Sequence, residues 1–241
     1  MKANSKKPSN KKTAQKNAAK KKDYTLKMKK CLARHEAAHF VMSWAIGCQA
    51  SYVDVTPAAQ GPSKNPNTKT LAYTSRVYEY GGYDGYGIDD SFNTIIRFLA
   101  GPVADNWGKD GVDVLVREKA MFDDALDSVV GNYEDDGDWY VTLEELNEMG
   151  IDIKNPTKLK NAVLFFIKAV QEILKLCDKQ WQELTEHLIK HGRIDLDKHW
   201  TESGNDWRFV AYWDDEDGLP PKVVRDCINK YRLLAPTGDK Q

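Results

Sequence analysis

The chain has 241 residues, 41% of them apolar, and a formal net charge of −1, enough apolar material to bury a core in one compact domain or two small ones. Its longest apolar stretch, 162–176, is interrupted by Lys168, Gln171, Glu172 and Lys175, which excludes a transmembrane helix there. Four cysteines, Cys31, Cys48, Cys177 and Cys227, stand far apart with no C-x-x-C pair, so neither a disulfide framework nor a thiolate zinc site is expected, and a cytoplasmic location is the simpler reading.

Charge divides the chain. Residues 1 to 30 hold twelve lysines against one acid, Asp23, a net +11 that leaves −12 for residues 31 to 241. Residues 1–27 almost lack large apolar side chains before Tyr24 and cannot offset their ordering entropy by burial, so a disordered basic tail is expected ahead of a domain over 28–241. Such a tail is a solubilising arm or a weak electrostatic contact to nucleic acid or an anionic surface.

From Met28 to about Trp44, Cys31, Leu32, Ala38, Val41, Met42 and Ala45 recur at helical spacing, and Gly47 supplies a stop. Strands are predicted over 52–56 and 70–80, rich in Thr, Tyr and Val, joined by a Pro/Gly/Asn loop into a hairpin. The glycine-rich 81–87 lacks a following Gly-Lys-Ser/Thr and stands among Asp84, Asp89 and Asp90, which reads as a connection and not as a phosphate loop. Asp90 or Ser91 caps a helix to about Asn106, and another is predicted over 115–130, ended by Gly131. In the acid-rich 132–144, placing Gly137 sixth in a calcium loop leaves Leu143 at the twelfth position, where a glutamate is needed. Thr142 and Glu145 instead have the spacing of a capping box for a short helix closing at Gly150. Asn155 and Pro156 open a long amphipathic region to Gly192, with a break near Asp178, and a last helix is expected over 221–234.

The sharpest chemical feature is His35-Glu36-Ala37-Ala38-His39 inside the first amphipathic helix. Histidines four apart leave one helix face a turn from each other, so both imidazoles reach a single metal ion while the glutamate between them sits beside a metal-bound water. The pattern fits hydrolysis by zinc, Zn2+, with His35 and His39 as ligands and Glu36 as general base. A catalytic zinc needs a third protein ligand. No histidine follows His39 at short range, and periodicity leaves Glu118, Asp123, Asp124 and Asp127 all open. A second pair four apart, His187 and His191, has no carboxylate between its members and reads as surface or helix-end histidines.

The blocks Ala33-Arg34-His35-Glu36-Ala37-Ala38-His39, Tyr52-Val53-Asp54-Val55-Thr56-Pro57, Leu71-Ala72-Tyr73-Thr74 and Leu99-Ala100-Gly101-Pro102-Val103-Ala104-Asp105 resemble, in order, the peptidase domain of FtsH-type AAA+ zinc metalloproteases. The likeness covers about residues 28 to 200. Ala38, Pro102 and Asp105 stand where that family usually has glycine, arginine and glutamate. The resemblance implies a mostly helical α+β, zincin-like metallopeptidase fold with a short β-hairpin and a C-terminal helical bundle. It also implies an aspartate on the helix after the last block as third zinc ligand, a place that Asp124 fits best.

The expected activity is zinc-dependent hydrolysis of peptide bonds in unfolded or flexible polypeptides. These 241 residues contain no Walker A motif, so a separate unfoldase or a homo-oligomer is the expected partner for folded substrates. The alternative is a catalytically inactive, peptidase-derived protein that keeps zinc and works through its surfaces.

Overall fold

The computed structural model describes residues 11–50, 52–55, 73–74, 77–79, 90–107, 137–195 and 219–238. Helix α1, Lys11–Ala45, carries the histidine pair. It stops where Gly47 takes φ 79°, a left-handed conformation that a side chain disfavours. The helix begins well before the apolar periodicity does. Composition predicts no order in residues 1–27, yet the backbone from Lys11 onward is helical: lysine, alanine and glutamine rank near the top of the helix propensities, and the segment extends a helix whose later turns are packed.

Two strands follow, β1 (Cys48–Ala50) and β2 (Tyr52–Asp54), and two more return, β3 (Tyr73–Thr74) and β4 (Val77–Glu79). β1 pairs with β4 and β2 with β3, both antiparallel and in one common register, so the described strands pair as the expected hairpin requires. A further strand, β5 (Arg193–Asp195), which the sequence reading did not place, pairs with the other edge of β2. It gets there because Gly192 takes φ 84° at the end of its helix and turns the chain back, its carbonyl accepting from the Val55 amide at 2.8 Å.

Helix α2 spans Ser91–Asn106, capped as expected by Asp90, whose side chain accepts from the Asn93 amide at 3.3 Å. Helix α3 spans Asp138–Glu148 and starts a full turn before the expected capping box. Thr142 lies inside it, its hydroxyl donating back to the Asp138 carbonyl at 2.7 Å, so it bonds the preceding turn and caps nothing. Asn155 does cap α4 (Pro156–Leu176), its side chain accepting from the Thr157 and Lys158 amides at 3.0 and 3.1 Å with Pro156 in the first turn. A break at Cys177 separates α4 from α5 (Asp178–His191), and α6 (Lys222–Leu234) is the last helix.

The fold is thus mostly helical α+β, with six helices and two small antiparallel sheets among the described residues. α2 lies in the middle, in contact with α1, α3 and α4. Ala33, Ala37 and Ala38 of α1 and Ala100, Gly101 and Ala104 of α2 are all buried, and their small side chains allow the two backbones to approach closely. Phe92, Leu159, Phe166, Ile173 and Leu184 fill the larger spaces toward the C-terminal helices. The helix over 115–130, the 81–87 connection and the 57–69 loop lie outside the described residues.

Candidate metal centre

α1 presents His35 and His39 one turn apart, with ring centroids 4.7 Å apart. α2 orients them. His35 Nδ1 contacts Asp105 Oδ2 at 2.8 Å and His39 Nδ1 contacts the Arg97 carbonyl at 2.7 Å. With both Nδ1 atoms engaged on α2, the two Nε2 atoms converge to 3.0 Å. Asp138, the first residue of α3, closes the group: its Oδ2 lies 3.1 Å from His35 Nε2 and 3.3 Å from His39 Nε2. Glu36 is buried beside the two histidines, and its charge acts on both of them. The turn that holds His35 is tied to α5 by Trp181, whose indole N–H donates to the Arg34 carbonyl at 2.9 Å.

The donor set fits a metal. His35, His39 and Asp138 each offer one ligand atom, all within 4.8 Å of one another. A tetrahedral zinc with bonds of about 2.0–2.1 Å keeps its donors about 3.3 Å apart, close to the three separations here. Gly101 adds a second sign of fit. A Cβ at that position would stand 2.4 Å from both Nε2 atoms, so the missing side chain leaves room where the two nitrogens point.

Electrostatics agree with a site built around a positive centre. Burial disfavours a charged His35, but Asp105 and Asp138 outweigh it and push the imidazole up to about 10. His39 is raised in the same way, burial being overcome chiefly by Asp138. Asp138, despite its own burial, is held well below the usual carboxylate range by the two histidines. Two imidazoles and a carboxylate in mutual contact call for a shared cation, and in the absence of metal a proton takes that part.

His35, Glu36 and His39 therefore stand together as the sequence places them. Asp124, Glu118, Asp123 and Asp127 lie outside the described residues; among the described residues the carboxylate at both Nε2 atoms is that of Asp138, which the sequence does not single out. Its signal was weak: one acid in the run Glu134, Asp135, Asp136 and Asp138, at the start of an apolar-periodic segment, 99 residues after His39. His187 and His191 stack at 4.6 Å on α5 and belong to no three-ligand group among the described residues.

The class defined by these observations is a mostly helical α+β protein with a partly buried two-histidine, one-carboxylate cluster. Comparison of the chain with protein-family models and with curated proteins gives no match.

Proposed function

We propose that this protein is a zinc-dependent peptidase of the zincin type, related to the FtsH-type peptidase domain that its sequence resembles. The observation that carries the proposal is the convergence of His35 Nε2, His39 Nε2 and Asp138 Oδ2 at separations of 3.0 to 3.3 Å, with Glu36 buried beside them. In this reading His35, His39 and Asp138 hold the ion. Zinc supplies a Lewis acid that polarises the scissile carbonyl and acidifies the attacking water. Glu36 accepts the proton of that water and returns it to the leaving amine. β3 lies at the edge of the three-stranded sheet β3-β2-β5, where an extended polypeptide adds as a further strand; unfolded or flexible segments are the substrates such an edge accommodates. No described helix is long and apolar enough to cross a membrane, and the four cysteines are free.

The test is zinc content and hydrolysis of an unfolded protein, measured on wild type and Glu36→Gln. The variant is expected to keep one zinc per chain and to lose about 10²- to 10⁴-fold in rate, the range for removing a general base. A wild type that binds zinc and cleaves nothing would leave the inactive zinc-binding reading in its place.

A further inference from the structure

The face that α2 turns toward the histidines repeats every four residues. Arg97, Gly101 and Asp105 follow one another along α2 at that interval, the spacing that keeps positions on one helix face, and His35 and His39 have the same spacing on α1. Each α2 position meets a different part of the imidazole pair. The Arg97 carbonyl faces His39 Nδ1, Gly101 opens toward both Nε2 atoms, and Asp105 Oδ2 faces His35 Nδ1.

The two acceptors are chemically unequal. One is a neutral backbone carbonyl that no substitution removes. The other is a carboxylate whose side chain is 48% exposed, so it contributes little to packing and its position needs another explanation. We infer that Asp105 is a positioning residue for the metal centre: it holds His35 with its N–H on Nδ1 and its Nε2 lone pair toward Asp138. The inference rests on the reading of the cluster as a metal site.

The physical reason follows from the imidazole. A neutral histidine carries one N–H, and only the tautomer protonated at Nδ1 leaves Nε2 free to donate to a metal. A carboxylate that accepts from Nδ1–H favours that tautomer, fixes the ring plane and makes Nε2 more basic. His39 receives orientation from the Arg97 carbonyl but no such charge. Ligand quality at His35 thus depends on one replaceable side chain, and at His39 it does not.

The experiment is a Zn2+ titration of wild type, Asp105→Asn and Asp105→Ala against a chromophoric competitor, with imidazole proton–nitrogen NMR of each loaded protein. Asp105→Ala is expected to bind zinc about 10- to 100-fold more weakly and to lose the protected His35 Nδ1–H resonance while that of His39 persists. Asp105→Asn keeps an acceptor without the charge, so it should retain the resonance and show a smaller loss of affinity. Circular dichroism of the metal-free proteins provides the control for general damage to the fold. Wild-type affinity in Asp105→Ala, with a protected His35 Nδ1–H, overturns the inference alone. A wild type that takes up no Zn2+ overturns the metal site and the inference together.

Discussion

The α1–α2 contact and the α4–α6 end of the molecule are built on opposite principles. Around the histidines, the packing is made by alanines and Gly101, and the polar groups of Glu36, His39 and Asp138 lie in or against that layer. Toward the C-terminal helices, Phe92 packs at a tilt against Phe166 at 5.7 Å, Phe165 edge-on against Tyr231 at 5.6 Å, and large apolar side chains fill the interior. The first region spends close backbone approach on holding polar atoms in a fixed arrangement, and the second supplies the apolar burial that keeps the arrangement folded. A change in one should therefore be felt mainly as lost metal, and a change in the other mainly as lost stability.

The largest stability effect is expected in the apolar region. Phe166 is fully buried in α4, and Phe166→Ala should cost about 3–5 kcal/mol in denaturant unfolding through lost burial and the cavity left behind. Zinc affinity of the molecules that remain folded should be close to wild type. A strong loss of affinity at unchanged fold would show that the two regions are not separable in this way.

Gly101→Ala reverses the pattern. Alanine is the better helix former by about 1 kcal/mol, but its methyl would stand 2.4 Å from both Nε2 atoms and must displace the rings. Overpacking of about 1–3 kcal/mol, taken up by the site, corresponds to about a 10- to 100-fold loss in zinc affinity. Isothermal titration with Zn2+ alongside circular dichroism checks this; tight binding in Gly101→Ala would remove the role assigned to the missing side chain.

The gentlest perturbation changes no residue. In metal-free protein, His35 is raised from 6.5 to about 10, so its ion pairs contribute stability that is complete below pH 6.5 and is lost as pH rises through about 10. Asp138 is shifted downward, so its contribution is present above the ordinary aspartate value and is lost as pH falls below it. Denaturant midpoints in chelator should decline from near-neutral toward pH 10, and saturating zinc should flatten the decline, because neutral histidines are the ligands. A midpoint independent of pH across that range would contradict the coupling drawn between the histidines and Asp138.

What could be read from the sequence followed from local rules. His35, Glu36 and His39 are legible because a four-residue interval on one helix fixes their relation, and the Asn155–Pro156 start is legible because a cap involves only neighbours. The hairpin was visible in its residue types. Asp138 was not, because a ligand brought in by tertiary packing has no set spacing from the other two, and a capping-box pattern at Thr142 and Glu145 drew the helix start one turn too late. β5 was hidden for a related reason: three residues carry no periodicity, and Arg193–Asp195 becomes a strand only because Gly192 returns the chain to β2. Asp105 could be noticed only as part of a block; its contact with His35 spans 70 residues.

The central claim is that His35, His39 and Asp138 together bind one metal ion. Zinc titration of wild type, Asp138→Asn and Asp124→Asn, each checked for folding by circular dichroism, tests it most directly. One zinc per chain is expected in wild type and in Asp124→Asn, with strongly weakened binding in Asp138→Asn. Wild-type binding in Asp138→Asn, together with loss in Asp124→Asn, would contradict it and return the third ligand to the position that the family resemblance implies.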